Sequence, residues 1–259
     1  MTGGIGSWNR RHFGWIAAAI AGFLTLWFYR GFVFDGSAML YGDDMINEGW
    51  QLRSFGVEEI RSGRGFPLWN PFVYGGQPYL AILPGPVFYP TSLLYLIMPL
   101  HRAIGWTFVL HTFLSGVFAY LAARSIRLER MPAAVAGLAF MVAGFVVSTL
   151  YGGHDGRMFA MALIPLAFTF LERGLDSGRM QWFLALGVVI ALQIFTPHIQ
   201  LMYYSSLALT LYAAMRIGQR ARAEGAKAVL PLVGLWALAF GVAALVGLAQ
   251  LLPTVQILD

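Results

Sequence analysis

Asp43 and Asp44 stand side by side after Gly42. Two further stretches, Gly152-Gly153-His154-Asp155-Gly156-Arg157 and Thr196-Pro197-His198-Ile199-Gln200, hold most of the other residues able to do chemistry. An aspartate can serve as general base toward a hydroxyl, Arg157 with His154 or His198 can hold an anionic phosphate, and Gln200 offers an amide donor or acceptor. General base plus phosphate clamp is what transfer from a phosphate-linked donor to a hydroxyl requires. Each cluster is also open to a plainer reading: an Asp pair after glycine makes a turn, the charges of residues 154–157 can face water, and His198 sits where a helix starts after proline. Two adjacent acids can hold a divalent cation, but one short pair does not demand it. There is no His-x-x-x-His or carboxylate-rich metal motif, phosphate loop or dinucleotide fingerprint, and the absence of cysteine removes thiolate sites, disulfides and cysteine nucleophiles together. No cofactor is implied.

The elements that must position these residues are membrane helices. Of the 259 residues, 58% are hydrophobic and 11% charged, with mean hydropathy +0.67, a composition outside the range of soluble domains. Apolar runs suited to spanning helices lie near 13–34, 103–123, 132–151, 157–172, 180–197, 199–216 and 228–252. The first follows Arg10 and Arg11 and is too long for a cleaved signal, so it reads as a retained anchor. The fourth is short, and charge tests it. With the N-terminus cytoplasmic, the inner segments collect Arg10, Arg11, Arg124, Arg127, Arg130, Arg173, Arg179, Arg216, Arg220, Arg222 and Lys227 against Glu129, Glu172, Asp176 and Glu224. The opposite side keeps Arg30, Arg53, Arg61, Arg64, Arg102 and Arg157 against Asp35, Asp43, Asp44, Glu48, Glu58, Glu59, Asp155 and Asp259. Every short loop obeys the positive-inside rule, which favours about seven crossings and assigns the net charge of +5 to topology rather than to nucleic acid. The expected fold is therefore all-α, a polytopic helical bundle forming a single domain over 1–259.

One connection is long, the extracytoplasmic loop 35–101. Residues 45–62 space Ile46, Trp50, Val57 and Ile60 as an amphipathic helix would, lying on the membrane surface. Residues 63–90 then hold six prolines (67, 71, 78, 84, 86 and 90) among aromatics and read as neither helix nor strand, docked by those aromatics on the bundle or around a small core. The stretch 87–100 is expected to be a re-entrant or interfacial helix. Within the apolar runs, Gln250 invites a functional or helix-bridging role and His111 a helix-to-helix hydrogen bond, because unpaired polar groups at membrane depth are costly. Arg30 is expected to snorkel to the interface.

Read in order, Gly42-Asp43-Asp44, Phe66-Pro67-Leu68-Trp69-Asn70-Pro71-Phe72 running into Gly75-Gly76-Gln77-Pro78, Phe88-Tyr89-Pro90, Gly153-His154 with Arg157, Pro197-His198-Ile199-Gln200 and Ala249-Gln250-Leu251-Leu252-Pro253 form a pattern. It resembles the N-terminal part of the YfhO-like family of bacterial membrane proteins, which have the GT-C glycosyltransferase fold. The stretch from Pro67, Trp69, Asn70 and Pro71 through Gly76 and Pro78 to Tyr89 and Pro90 is its most specific part. The resemblance implies an inner-membrane enzyme that moves a sugar from a polyprenyl-phosphate carrier to an extracytoplasmic acceptor, a cell-wall polymer or other glycoconjugate. It also implies a first-loop acid, Asp44 by slight preference over Asp43, as catalytic residue, and His154, Arg157, His198 and Gln200 as lining for the donor phosphate and sugar. Members of that family continue through more helices, so the chain is expected to be a fragment or a shortened relative. The alternative is a non-enzymatic membrane subunit or a flippase-like transporter of lipid-linked sugars, with the proline-rich loop as a docking surface.

Overall fold

The computed structural model describes residues 3–40, 42–81 and 85–256. Pro84, Asp259 and the side chains of Arg10 and Arg11 lie outside the described residues. Each of the seven apolar runs is helical: α1 (Gly3–Phe28), α5 (Leu100–Ser125), α6 (Arg130–Met141) with α7 (Gly144–Gly152), α8 (Asp155–Ser177), α9 (Met180–Ile194), α10 (Ile199–Glu224) and α11 (Ala226–Val255). The run 132–151 is two helices because the chain opens at Val142 and Ala143 before turning helical again. By length and composition, Leu100–Ser125, Arg130–Gly152, Asp155–Ser177 and Ala226–Val255 can cross a membrane, whereas Phe13–Phe28 and Met180–Ile194 are apolar but shorter. The chain is thus an all-α bundle of membrane type.

Helix α8 is the centre of this bundle, packed against α5, α9 and α10. It buries Phe159, Ala167 and Leu171 against Ile104 and Phe108 of α5 and Phe183 and Leu186 of α9. It is longer than its apolar run of 157–172 because partners on other elements accept the charges at both ends. Asp155 at its start meets Arg53, and Glu172 and Asp176 near its end meet Arg216 of α10. Small residues allow close packing of helix backbones. A Cβ on Gly187 of α9 would press on the Ala239 carbonyl of α11, and one on Gly137 of α6 would press on the Gly116 carbonyl of α5.

Buried polar side chains tie the elements of the bundle together. Gln193 of α9 donates to the Ala160 carbonyl of α8 (3.2 Å) and accepts from the Ser205 hydroxyl of α10 (3.3 Å). His111 does not make the helix-to-helix bond expected of it. Its Nδ1 pairs with the Thr107 carbonyl of its own helix (2.7 Å), its Nε2 pairs with the Tyr89 hydroxyl of the long connection (3.0 Å), and its ring stacks on Phe159. The motif tyrosine is therefore held by a mid-helix histidine.

The connection begins after the short α2 (Arg30–Val33) and contains a π-helical turn, Met45–Gly49, running into α3 (Trp50–Arg61). The expected helix is present, but its buried face is Met45, Leu52, Arg53 and Gly56, while Ile46 is exposed and Trp50, Val57 and Ile60 are half-buried. Arg53 is the reason, since its ion pair turns that side of the helix toward the bundle. Residues 63–90 do include strand: β1 (Trp69–Asn70) pairs antiparallel with β2 (Gln77–Pro78), closed by Tyr74, Gly75 and Gly76 at positive φ. The stretch 87–100 is not one helix. A 3₁₀ turn (Pro90–Leu93) and a single turn α4 (Leu94–Ile97) end at Met98, which is extended before Pro99 as residues preceding proline usually are, and Leu100 already begins α5. Arg30 is exposed and lies over Trp27, donating to that residue's carbonyl.

Candidate functional site

The site is built where the long connection meets the ends of α7, α8 and α9. Gly42 lies directly on Gly152 and Gly153, so close that a Cβ at 42 would fall on the Gly153 backbone. Gly153 itself takes positive φ (74°) to end α7. That backbone approach brings Asp44 to His154: Asp44 Oδ2 lies 3.3 Å from His154 Nδ1, with both side chains open to solvent. Asp43 is turned away into a local bond, accepting from the Asn47 amide (2.7 Å). Gly42→Ala is expected to separate the two segments at a cost of about 1–3 kcal/mol, the usual penalty of overpacking. Thermal unfolding of the purified variant checks this, and an unchanged midpoint would remove the close approach as a constraint.

One residue beyond His154, Asp155 opens α8 with its carboxylate buried. It accepts two bonds from Arg53 Nη2 (2.7 and 2.8 Å) and one from the Gly156 N–H (2.7 Å). Arg53 is 6% exposed and Asp155 3%. Arg53 Nη1 also donates to the Gly49 carbonyl (2.8 Å), whereas its Nε has no partner. From the sequence, Arg53 is only one of the charges of the outer side, and Asp155 belongs to a polar cluster whose charges can face water. A signal was present, however: Gly49, Arg53 and Gly56 share one face of the helix, and the missing side chains leave room for the guanidinium and for the Tyr79 hydroxyl, which bonds the Leu52 carbonyl (3.1 Å).

On the next turn, Gly156 packs on Pro197, so the start of α8 and the turn before α10 are in contact. His198 caps α10 by accepting the Leu201 N–H at Nδ1 (3.4 Å), which leaves Nε2 as the protonated nitrogen of the neutral ring. Burial lowers its pKa below the ordinary 6.5, a bond to its own backbone works against that, and the charges of Arg157 and His154 lower it further. His198 is therefore mainly neutral at neutral pH, and Arg157, whose Nε is buried without a partner, is the fixed cation of the group. The depressed pKa means that protons bind the unfolded form more readily, so the stability His198 contributes is full above 6.5 and is lost as pH falls through its lower folded value. Unfolding midpoints of wild type should fall in that acidic window more steeply than those of His198→Asn; parallel curves would argue against it.

Gln200 is exposed and donates to the Tyr204 hydroxyl (3.2 Å), one turn along its own helix. Gln250 is buried and donates to the Leu80 carbonyl (2.9 Å), fastening α11 to the connection. The loop motif is largely scaffold. Pro67 and Asn70 are buried, and Asn70 Oδ1 accepts the Phe72 N–H (3.0 Å) beside exposed Pro71. Trp69 covers Gly76 and pairs across the hairpin with Pro78. Tyr89 holds His111, and Pro90 starts the 3₁₀ turn. Behind them lies a largely apolar cavity of about 400 Å³ between α3 and residues 85–96, with Arg53, Tyr79, Tyr89 and Tyr95 on its wall. Among the described residues no group of three or more His, Cys, Asp or Glu is placed to hold a metal ion.

Residues 59–258 match the family described as oligosaccharyl transferase STT3, N-terminal. The chain belongs to that family. STT3 membership assigns it to the GT-C type of membrane glycosyltransferase. The STT3 match takes in His154, Asp155, Arg157, His198 and Gln250, while Gly42, Asp44 and Arg53 precede it. No curated protein and no solved structure shows significant similarity to the chain.

Proposed function

We propose that this STT3-family chain is the catalytic, N-terminal part of a YfhO-like glycosyltransferase. It takes a sugar from a polyprenyl-phosphate carrier and passes it to an extracytoplasmic acceptor, a cell-wall polymer or other glycoconjugate. The chain crosses the bacterial inner membrane seven times with its N-terminus cytoplasmic, so that the end bearing the long connection faces outward, as the distribution of arginines supports. The observation that carries the reading is the meeting of Asp44 with His154, beside Arg157 and His198, in a member of a glycosyltransferase family.

In the proposed reaction the acceptor hydroxyl attacks the anomeric carbon of the donor sugar while Asp44 takes its proton. The bond between that carbon and the phosphate oxygen breaks, and polyprenyl phosphate leaves with the electron pair. Arg157 supplies the fixed positive charge toward the leaving phosphate, and the Nε2–H of neutral His198 supplies a hydrogen bond. His154 orients the Asp44 carboxylate and Asp43 is auxiliary. Gln200 is assigned to the sugar pocket in this reading on the resemblance to the YfhO-like motif, and its amide donates to the Tyr204 hydroxyl.

Mass spectrometry of lipids that copurify with the membrane-extracted protein tests the donor: a polyprenyl-phosphate sugar is expected. Its absence from preparations that transfer sugar would overturn the donor assignment. A subunit or flippase-like carrier would instead retain the lipid and show no transfer.

A further inference from the structure

Between Arg64 and His101 the sequence contains no Asp, Glu, Lys, Arg or His. This uncharged stretch nonetheless presents large apolar side chains outward. Leu68 is 77% exposed, Trp69 54%, Phe72 81% and Tyr74 81% at the hairpin; Leu93 is 66% and Ile97 76% on the turns that lead into α5. A patch of this kind on a connection in water marks an interaction surface. Its chemistry points to one occupant. Trp, Tyr, Phe and Leu without charge are the mixture found where protein meets the headgroup level of a bilayer, whereas a protein-docking patch ordinarily has a polar rim around its apolar core.

The backbone of the hairpin is suited to leaving water. The Tyr79 N–H bonds the Leu68 carbonyl (2.9 Å), the Gly76 N–H bonds the Val73 carbonyl (2.9 Å) and the Phe72 N–H bonds Asn70 Oδ1 (3.0 Å). The tip can therefore enter a low-dielectric layer with these donors already paired. Its placement agrees. Phe66 stacks on Phe88, and Phe88 packs on Phe195, the residue that ends α9. The hairpin is thus tied to the end of α9, and the exposed Leu93 and Ile97 lie on the turns just before α5, which is apolar enough to span a membrane.

We propose that the hairpin from Leu68 to Tyr74 is an interfacial anchor that inserts into the headgroup layer of the leaflet at its end of the bundle. It holds the connection, and with it Asp44, at fixed height over the membrane. The proposal needs the chain to be a membrane protein and does not depend on the transferred sugar.

The natural absence of cysteine makes the test direct. Phe72→Cys, Tyr74→Cys and, as a charged-face control, Glu58→Cys are each labelled with an environment-sensitive fluorophore in the full chain. The labelled proteins are then reconstituted into vesicles of zwitterionic and anionic phospholipid. Spin-labelled lipids carrying the nitroxide near the headgroup should quench positions 72 and 74 several-fold more than position 58, with aqueous iodide giving the reverse order. Iodide quenching at 72 and 74 equal to that at 58 would overturn the proposal. Shielding from both quenchers would also overturn it, since it would indicate a second copy of the chain as occupant. Both positions are exposed side chains, so one reporter survives if the other variant fails to fold.

Discussion

Arg53→Ala is expected to destabilise the protein by roughly 3–5 kcal/mol, the cost of leaving a buried carboxylate without its cation. Asp155 accepts both of its charge-assisted bonds from one guanidinium nitrogen and has only the Gly156 N–H besides. A loss of that size is a large part of the roughly 5–15 kcal/mol that holds a typical domain together. Asp155→Ala should cost a similar amount for the opposite reason, an unpaired guanidinium. Replacing both partners with apolar residues, Arg53→Met with Asp155→Leu, should recover most of the loss, because a buried pair contributes less than either half costs when orphaned. Thermal unfolding of the detergent-purified variants reads all three. Single truncations that leave the midpoint in place would mean that water reaches the pair and the burial carries no energy. Activity should fall with stability in the single variants, since this pair clamps α3 to the start of α8, one residue from His154.

Asp44→Asn is expected to lower sugar transfer by about 10²–10⁴-fold, the usual contribution of a positioned general base. Asp43→Asn should change it only a few-fold, because the Asp43 carboxylate is occupied by Asn47. The amide preserves size and the approach to His154 but cannot take a proton, so the fall should appear in kcat with unfolding unchanged. The measurement is transfer from a polyprenyl-phosphate sugar by the protein in membrane vesicles. Equal activity in both variants would remove the first-loop acids from the chemistry.

The helices were legible because about 20 consecutive apolar residues allow few alternatives. What lay beyond reading was pairing across distance. Asp155 looks solvated in the string Gly-Gly-His-Asp-Gly-Arg, since nothing local reveals that Arg53 will reach it. The length of α8 was underestimated for the same reason, its end charges being matched by residues on other elements. The short strands at Trp69 and Gln77 were hidden by prolines at 71 and 78, which suit an edge pair of two residues but argue against a longer strand. Of the candidate site, the proximity of Asp44 to His154 depends on glycines 42 and 153, whose presence is visible and whose contact is not. His198 was legible as standing at a helix start after proline, yet its capping bond and its lowered pKa follow from burial and from neighbouring charges that only the folded chain brings together.

The bond from Gln250 to Leu80 joins an early part of the chain to a late one, with Phe195 packed on Phe88 between them. Synthesis runs in one direction, so the first connection emerges long before either partner exists. It must wait, incompletely packed, while the intervening helices are inserted, and it acquires the bond from Gln250 only when α11 arrives. Fastening of the site is therefore coupled to the insertion of α11, and a chain stalled in the membrane before that helix would carry Asp44 on a loop not yet held by Gln250.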